Sequence, residues 1–475
     1  MPAVMSGEVR QDQLPLTCVI GAGPSGLTAA KALQDRGIPF DCFERSGRVG
    51  GLWAFGNPRG TPTAYRSLRI NTSKARTQFE DLPMPTEYPD FPTHFQIAAY
   101  LEDFADRFGL RDRITFDTAV ERADLHGDGT WRVTLEGERT RNYDALIVAN
   151  GHHWDPLWPD PPFPGHFDGV ETHARDYVGP EGLEGKTVVV VGIGNSAMDI
   201  AVDVSRVAAR TMLSARRGVH ILPRRLLGRP LDQVETMVPR PLGPALGGRL
   251  TGLALRAGYR LGRIPRPQAY GLPAPDHPRQ AEHPTVSDEI FEKIEAGAIV
   301  ARPNLAELAG REVRFEDGTS ERTDLIIYCT GYRVSFPFLD PGLISAPGNR
   351  LPLFHRVFKP DTPSVFFIGL AQPIGPTVCL VEAQSKWVAA HLAGAYALPS
   401  REQMERAIAA EEERTRRRFY ESPRHTMGVD FWPYLREIRR ELRRGRRRAG
   451  SGSYARALVA RARGSALSPA ALRER

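Results

Sequence analysis

Two glycine turns carry the residues best suited to chemistry. Gly21-Ala-Gly23-Pro24-Ser25-Gly26 comes after the apolar run Cys18-Val-Ile and passes straight into Ala-rich helical sequence. Gly192-Ile-Gly194-Asn195-Ser196-Ala197 comes after Lys186-Thr-Val-Val-Val-Val191 and does the same. In such a turn the first glycine makes the bend. The second lets backbone approach a pyrophosphate, and the third small residue lets the helix pack closely on its strand. The helix start adds free N–H groups and a partial positive charge. The chemistry this favours is dinucleotide binding, twice in one chain.

The strand beyond each turn distinguishes the two sites. After the first helix, read as Ser25 to Arg36 with Gly37 as its cap, comes the strand Ile38 to Glu44. Glu44 stands about 20 residues past the glycines, where a ribose hydroxyl needs a carboxylate acceptor. After the second helix, the strand Thr211-Met-Leu-Ser214 ends in Ala215-Arg216-Arg217. A carboxylate there would repel a 2′-phosphate, whereas Arg216 can pair with it bidentately. The second nucleotide is therefore read as NADP rather than NAD. Two arginines on a solvated loop would look the same.

The elements that must position these turns read as alternating strands and helices, an α/β pattern. Arg45 and the paired glycines Gly50-Gly51-Leu52-Trp53 lie just past the acid and suggest a second close approach to a ligand, or an ordinary surface turn. Ser67 to Lys74, with Asn71 inside it, is a polar loop. Phe95 to Phe108 has apolar residues at helical spacing. Thr115 to Val120, Trp131 to Leu135 and Asp144 to Asn150 read as strands, with His126-Gly-Asp-Gly129 as a hairpin turn. Asp324 to Cys329 is an apolar strand ending in Thr330-Gly331-Tyr332, like Ala145 to Gly151; such ends touch a ligand or merely finish a sheet. Gly375-Pro-Thr377 opens a helix to about Ala395.

The chain has 475 residues, 41% of them hydrophobic and 25% charged, the balance of a soluble globular protein of two or three domains. Its four cysteines, Cys18, Cys42, Cys329 and Cys379, are far apart and form no C-x-x-C pair. Buried free thiols in a reducing, cytoplasmic setting are expected, with no metal ligands and no redox pair. No run of about 18 apolar residues spans a membrane. The net charge of +7 concentrates late in the chain, where eight of the thirteen residues from Arg436 to Arg448 are arginine. A nucleic-acid arm would need aromatic stacking platforms, which are missing, so a solvated helix or an interaction tail is expected. In the segment 242–263, Leu246, Leu250, Leu253 and Leu261 fall on one helical face, with Arg249, Arg256, Arg260 and Arg263 beside it. That helix packs on its own protein or lies on an anionic membrane surface.

With these residues laid out, the chain resembles the flavin-containing monooxygenases from about residue 15 to about residue 400. Phe167-Asp-Gly169-Val-Glu-Thr-His173-Ala-Arg-Asp-Tyr177 matches the family pattern F-x-G-x-x-x-H-x-x-x-Y; the related Baeyer–Villiger enzymes carry Trp at the last position. Gly50-Gly-Leu-Trp53 matches the family's GGLW segment. Cys329-Thr330-Gly331-Tyr332 is similar to its A-T-G-Y segment. Asn150-Gly151 departs from the usual Thr-Gly, without removing a required group. The resemblance implies two Rossmann-like dinucleotide-binding domains, the NADP domain inserted into a discontinuous FAD domain. The expected division is 14–178 and 323–400 for FAD, 179–322 for NADP with an insertion near 230–280, and 401–475 as a charged helical extension.

It also implies the chemistry. NADPH reduces FAD, O2 adds at the flavin C4a to form a hydroperoxide, and a soft nitrogen or sulfur nucleophile of a small molecule takes one oxygen atom. Asn71 matches the family's asparagine thought to support flavin–oxygen chemistry. The FAD site is expected at Gly21, Gly23, Pro24, Ser25, Gly26, Glu44, Arg45, Gly51, Leu52, Trp53 and Asn71, with Thr330 and Gly331. The NADP(H) site is expected at Gly192, Gly194, Asn195, Ser196 and Arg216. A disulfide-reductase flavoprotein is excluded by the cysteine spacing. A Baeyer–Villiger ketone oxygenase and a non-catalytic nucleotide-binding flavoprotein remain as alternatives. The oligomeric state is open, a homodimer among the options.

Overall fold

The computed structural model describes residues 14–59, 63–226, 228–234, 252–253, 255–262, 264–420, 422 and 425–450. Two five-stranded sheets organise it. The first has the order Val365–Phe367, Ala145–Val148, Thr17–Ile20, Phe40–Phe43, Ile114–Thr115, and every pairing is parallel. The second runs Val170–His173, Leu325–Tyr328, Thr187–Val191, Arg210–Ser214, Ile299–Arg302, again all parallel. In each sheet the strand that feeds a glycine turn lies third, in the middle. These central strands are buried on both faces, which is why Cys18-Val-Ile and Val188-Val-Val-Val191 read as apolar runs and not as alternation.

The grouping of strands does not follow chain order. Val170–His173 and Leu325–Tyr328 both belong to the second sheet, where Leu325–Tyr328 lies between Val170–His173 and Thr187–Val191. The expected strand Thr115 to Val120 is corrected. The chain leaves the first sheet after Thr115, turns through Asp117 at a φ of +49°, and re-enters strand at Val120–Leu125 in a separate antiparallel meander with Trp131–Leu135 and Arg139–Tyr143.

The first sheet is covered on one face by the helices Pro24–Gln34, His94–Arg107 and Thr377–Leu392. The same core includes Phe431, Tyr434, Leu435 and Ile438 from the helix Phe431–Ala449. Their spacing of three and four places one helical face on Thr377–Leu392, with the arginines on the other. The helix Phe431–Ala449 thus packs one face on the first core, whereas Arg401–Arg418 buries only Met404. Composition hides this, because arginine outnumbers the apolar stripe. Even within the arginine run, Arg448 donates to the Ala397 carbonyl at 2.9 Å and pairs with the buried Glu441.

The insertion is described only in part; Leu246, Leu250, Arg249 and Arg263 lie outside the described residues. Leu255 and Ile264 pack with Leu222 and Leu226 in a small core of their own, with Tyr259 against it. Leu253 and Leu261 face outward, 57% and 69% exposed, beside the exposed Arg256 and Arg260. Among the described residues no helix is long and apolar enough to cross a membrane.

Candidate active site

Both glycine turns have the shape that a pyrophosphate needs. Gly21 sits at a φ of +102° and Gly192 at +134°, conformations that only glycine adopts without strain. A Cβ on Gly26 would lie 1.7 Å from the Gly21 carbonyl oxygen, so the helix can approach its strand only with glycine there. The helices that begin at these turns, Pro24–Gln34 and Asn195–Val204, have no side-chain cap on their first turns. Two other long helices are fully capped. His94–Arg107 begins with a reciprocal Thr93/Gln96 box and Arg401–Arg418 with a Ser400/Gln403 box. The two nucleotide helices therefore keep their terminal N–H groups open, as an anion site requires.

Around the first turn, Glu44 is buried at the end of its strand. It accepts from Ala22 N at 2.7 Å, and from Ser46 N and Oγ at 3.0 and 2.8 Å. A carboxylate has about four acceptor positions, so one remains for a ribose hydroxyl. Gly51-Leu52-Trp53 form a short 3₁₀ turn whose glycine packs on Gly23; a Cβ on Gly51 would be 3.1 Å from the Gly23 Cα. Pro24 and Ser25 line the same half-buried surface, and Arg45 is exposed.

Around the second turn the two arginines divide. Arg217 is engaged: its Nε donates to Asp276 at 2.7 Å and its guanidinium lies 4.0 Å from the Tyr420 ring centre. Arg216 is exposed and makes no ion pair with a described residue. Ser196 stays half-buried in the opening turn of the helix. The Asn195 side chain is spent inside the protein, accepting from Val286 N at 2.7 Å and donating to the Pro284 carbonyl at 3.3 Å, so only its backbone faces a ligand.

Thr330 and Gly331 follow the C-terminal end of the strand Leu325–Tyr328. Thr330 Oγ1 donates to the Leu157 carbonyl, and Leu157 N donates to the Gly331 carbonyl at 3.0 Å, tying the two crossings between the sheets together. Asn71 is half-buried and meets the second domain directly. Its Oδ1 accepts from Arg224 Nη2 at 3.2 Å. Arg224 also faces Asp199 at 3.6 Å and Asp288 at 3.3 Å, and Asp199 accepts from the Tyr65 hydroxyl at 2.7 Å. Burial pushes the Asp199 carboxyl up, against the Arg224 charge and the Tyr65 hydrogen bond that lower it. Next to Asn71, Ser73 donates through N and Oγ to Asp232 at 2.8 and 2.9 Å.

Sequence reasoning does not single out Arg224, Asp199, Tyr65 or Asp232. Asp199 carries a usable signal, lying one helical turn beyond Asn195. Arg224 comes from a loop, and Asp232 from the four-residue helix Leu231–Val234, neither with a pattern of its own. The family pattern residues turn out to be packing. Tyr177 is buried and donates to Asp203 on the second nucleotide helix at 3.0 Å, while Phe167 and His173 are also buried. All four cysteines are free thiols; burial pushes Cys379 up to about 11, and Cys18, Cys42 and Cys329 are raised by the same cause.

A family model described as flavin-binding monooxygenase-like matches residues 16–444. Flavin-containing monooxygenase 5 of Rattus norvegicus is 35% identical over 437 residues, which cover 88% of this chain and 81% of that protein. The N-oxide-forming dimethylaniline monooxygenase 2 of Mus musculus is 35% identical over 440 residues, 89% and 82% of the two chains. The solved S-allyl-L-cysteine S-oxygenase from Allium sativum shares the fold with a TM-score of 0.66 at 24% identity, covering 95% of this chain and 98% of that one. Two open nucleotide helices on two parallel sheets fit FAD and NADP(H), and with a match over nearly its whole length the chain belongs to the flavin-binding monooxygenase-like family, as an NADPH-dependent flavin monooxygenase that uses O2.

Proposed function

We propose that the oxygen acceptor is a soft nucleophile, the nitrogen of an amine or the sulfur of a thioether, in a small molecule. The observation that carries this is the complete F-x-G-x-x-x-H-x-x-x-Y pattern ending in Tyr177, where the Baeyer–Villiger enzymes carry Trp. The 35% identity to an N-oxide-forming relative supports it. We further propose that Gly21, Gly23, Pro24, Ser25, Gly26, Glu44, Arg45, Gly51, Leu52 and Trp53 hold FAD, with Thr330 and Gly331 at its flavin end. Gly192, Gly194, Asn195, Ser196 and Arg216 hold NADPH. The first domain is then built on the first sheet and the second on the other.

FAD, reduced by NADPH when both are bound, would supply the activation of O2, one atom of which goes to the acceptor while the other leaves as water. The chain's own task is to hold two nucleotides, exclude water and offer a hydrogen bond without a loose proton. Asn71 suits that task. With Oδ1 accepting from Arg224, its Nδ2 remains a donor, and an amide does not titrate as an acid would.

The test is an NADPH-oxidation screen of amines, thioethers and ketones, with mass detection of the product carrying one added oxygen. N-oxides or S-oxides are expected. Esters or lactones from ketones alone would overturn the reading in favour of Baeyer–Villiger chemistry. No flavin absorbance and no NADPH turnover would support the non-catalytic alternative.

Cytoplasmic residence is proposed from the four free thiols. Peripheral membrane contact through 242–263 is proposed from Leu253 and Leu261 exposed beside Arg256 and Arg260. Sedimentation with anionic vesicles, lost in a Leu253→Ser, Leu261→Ser double variant, would support it; no sedimentation of the parent chain would refute it.

A further inference from the structure

Behind the arginine pair, two loops bring together His220, His277 and Glu282. One ring nitrogen from each histidine and one oxygen of Glu282 all lie within 4.8 Å of one another. We infer that this corner is a binding site for a divalent transition-metal ion of the Zn2+ class.

Each ligand is already held from behind. His277 Nδ1 lies 2.8 Å from Asp276 Oδ1, the carboxylate–histidine pairing that fixes the tautomer of a metal-bound imidazole. That leaves Nε2 as the ligating atom. The His277 side chain is only 5% exposed, and its Nε2 makes no hydrogen bond among the described residues although Glu282 Oε2 lies 2.9 Å away. The two groups converge without being aligned as donor and acceptor, as ligands of one ion do. Glu282 is 2% exposed; its Oε1 accepts from His220 N at 2.7 Å, which turns Oε2 toward His277. His220 Nε2 is 3.0 Å from the His277 carbonyl, so the second imidazole is oriented in the same way.

Two imidazoles and a carboxylate suit Zn2+, with water at the fourth position. Ligand atoms of tetrahedral zinc stand about 3.4 Å apart for bonds near 2.1 Å, so small ring rotations close the site. Its ligands come from the loop after the Arg210–Ser214 strand and from the loop that returns before the Thr285–Val286 strand. An ion would clamp these loops together next to Arg217, which shares Asp276 with His277. The site thus lies at the edge of the proposed NADPH pocket, apart from the flavin chemistry. No spacing in the sequence announces it, because 57 positions separate the two histidines and the paired motif of a zinc module is missing.

The test uses tag-free, FAD-loaded full-length protein dialysed against Zn2+, with metal counted by mass spectrometry and affinity measured by calorimetry. One Zn2+ per chain is expected. His277→Gln and Glu282→Gln should bind at least tenfold more weakly. Asp276→Asn, which removes the orienting carboxylate without altering a ligand, should weaken binding by about tenfold. His166→Gln, an exposed histidine elsewhere, should change nothing. Substituting Co2+ in the unmodified protein keeps the test independent of variant folding, since tetrahedral N/O ligation gives strong visible bands. A wild-type chain that retains no Zn2+, Co2+ bands of the aqueous ion only, or equal Zn2+ binding by the variants would overturn the site.

Discussion

Arg217 gives its guanidinium to Asp276 and to the Tyr420 ring, which leaves Arg216 as the arginine open to a 2′-phosphate. A hydrogen bond to a charged group contributes about 1.5–3 kcal/mol, a factor of roughly 10–150 in binding. Arg216→Ala should therefore raise KM for NADPH by about that factor and leave KM for NADH nearly unchanged. Equal effects on both cofactors would remove Arg216 from the phosphate. Asn71→Ala should leave the rate of flavin reduction by NADPH intact while product formed per NADPH oxidised falls several-fold, the difference escaping as hydrogen peroxide. Unchanged coupling would sink its assignment. Sequence names Arg216 and Asn71, but that Arg217 is engaged elsewhere depends on Asp276, 59 positions away. For the same reason Arg224 is invisible in the sequence: its importance lies in meeting Asn71, 153 positions away, while it also faces Asp199 and Asp288.

At the scale of elements, a strand, a glycine turn and a helix act as one piece. The Gly26 Cα faces the Gly21 carbonyl, and an added methyl at 1.7 Å has no side chain to push aside, only backbone. Gly26→Ala must shift the helix off its strand. Overpacking of this kind costs about 1–3 kcal/mol or more, and the shift also spoils the approach to the pyrophosphate. The expected result is a chain purified without yellow colour, while the second site still binds NADP+ by calorimetry. A variant that keeps stoichiometric FAD would refute the close-packing argument. The turns, their strands and their helices are legible because local sequence dictates them through periodicity and glycine placement. Less legible is which sheet a strand joins. Leu325–Tyr328 reads as apolar whichever sheet accepts it, and only its register with Thr187–Val191 and Val170–His173 decides. The helix Phe431–Ala449 misleads for the opposite reason: its buried stripe is local, but its arginines dominate the composition.

Across the whole molecule, buried titratable groups tie the domains' stability to pH. Burial lowers His173, in the second sheet, to about 4, and His391, under the first sheet, to about 4. Both are neutral in the folded chain, whereas an unfolded histidine titrates near 6.5. As pH falls below about 6.5 the unfolded chain takes up these protons first, so stability declines from there until the folded groups also titrate near 4. Each histidine is worth up to about 3 kcal/mol over that window. A second loss sets in at lower pH. Burial pushes the Glu411 carboxyl up, but the hydrogen bond from His355 and the Arg356 charge overcome it and hold it at about 2. The stability it provides is complete above its unfolded pKa of about 4.3 and is lost as pH falls toward the folded value. Urea unfolding at pH 7.5, 6.0 and 5.0, followed by tryptophan fluorescence, should show midpoints falling steadily, with net proton uptake on unfolding at pH 5. His391→Gln should flatten part of that slope. Glu411→Gln should instead cost about 3–5 kcal/mol at neutral pH, because it leaves the buried Arg356 without its counter-charge. Midpoints that stay level from pH 7.5 to 5.0 would mean that the two imidazoles are already solvated or protonated in the folded chain.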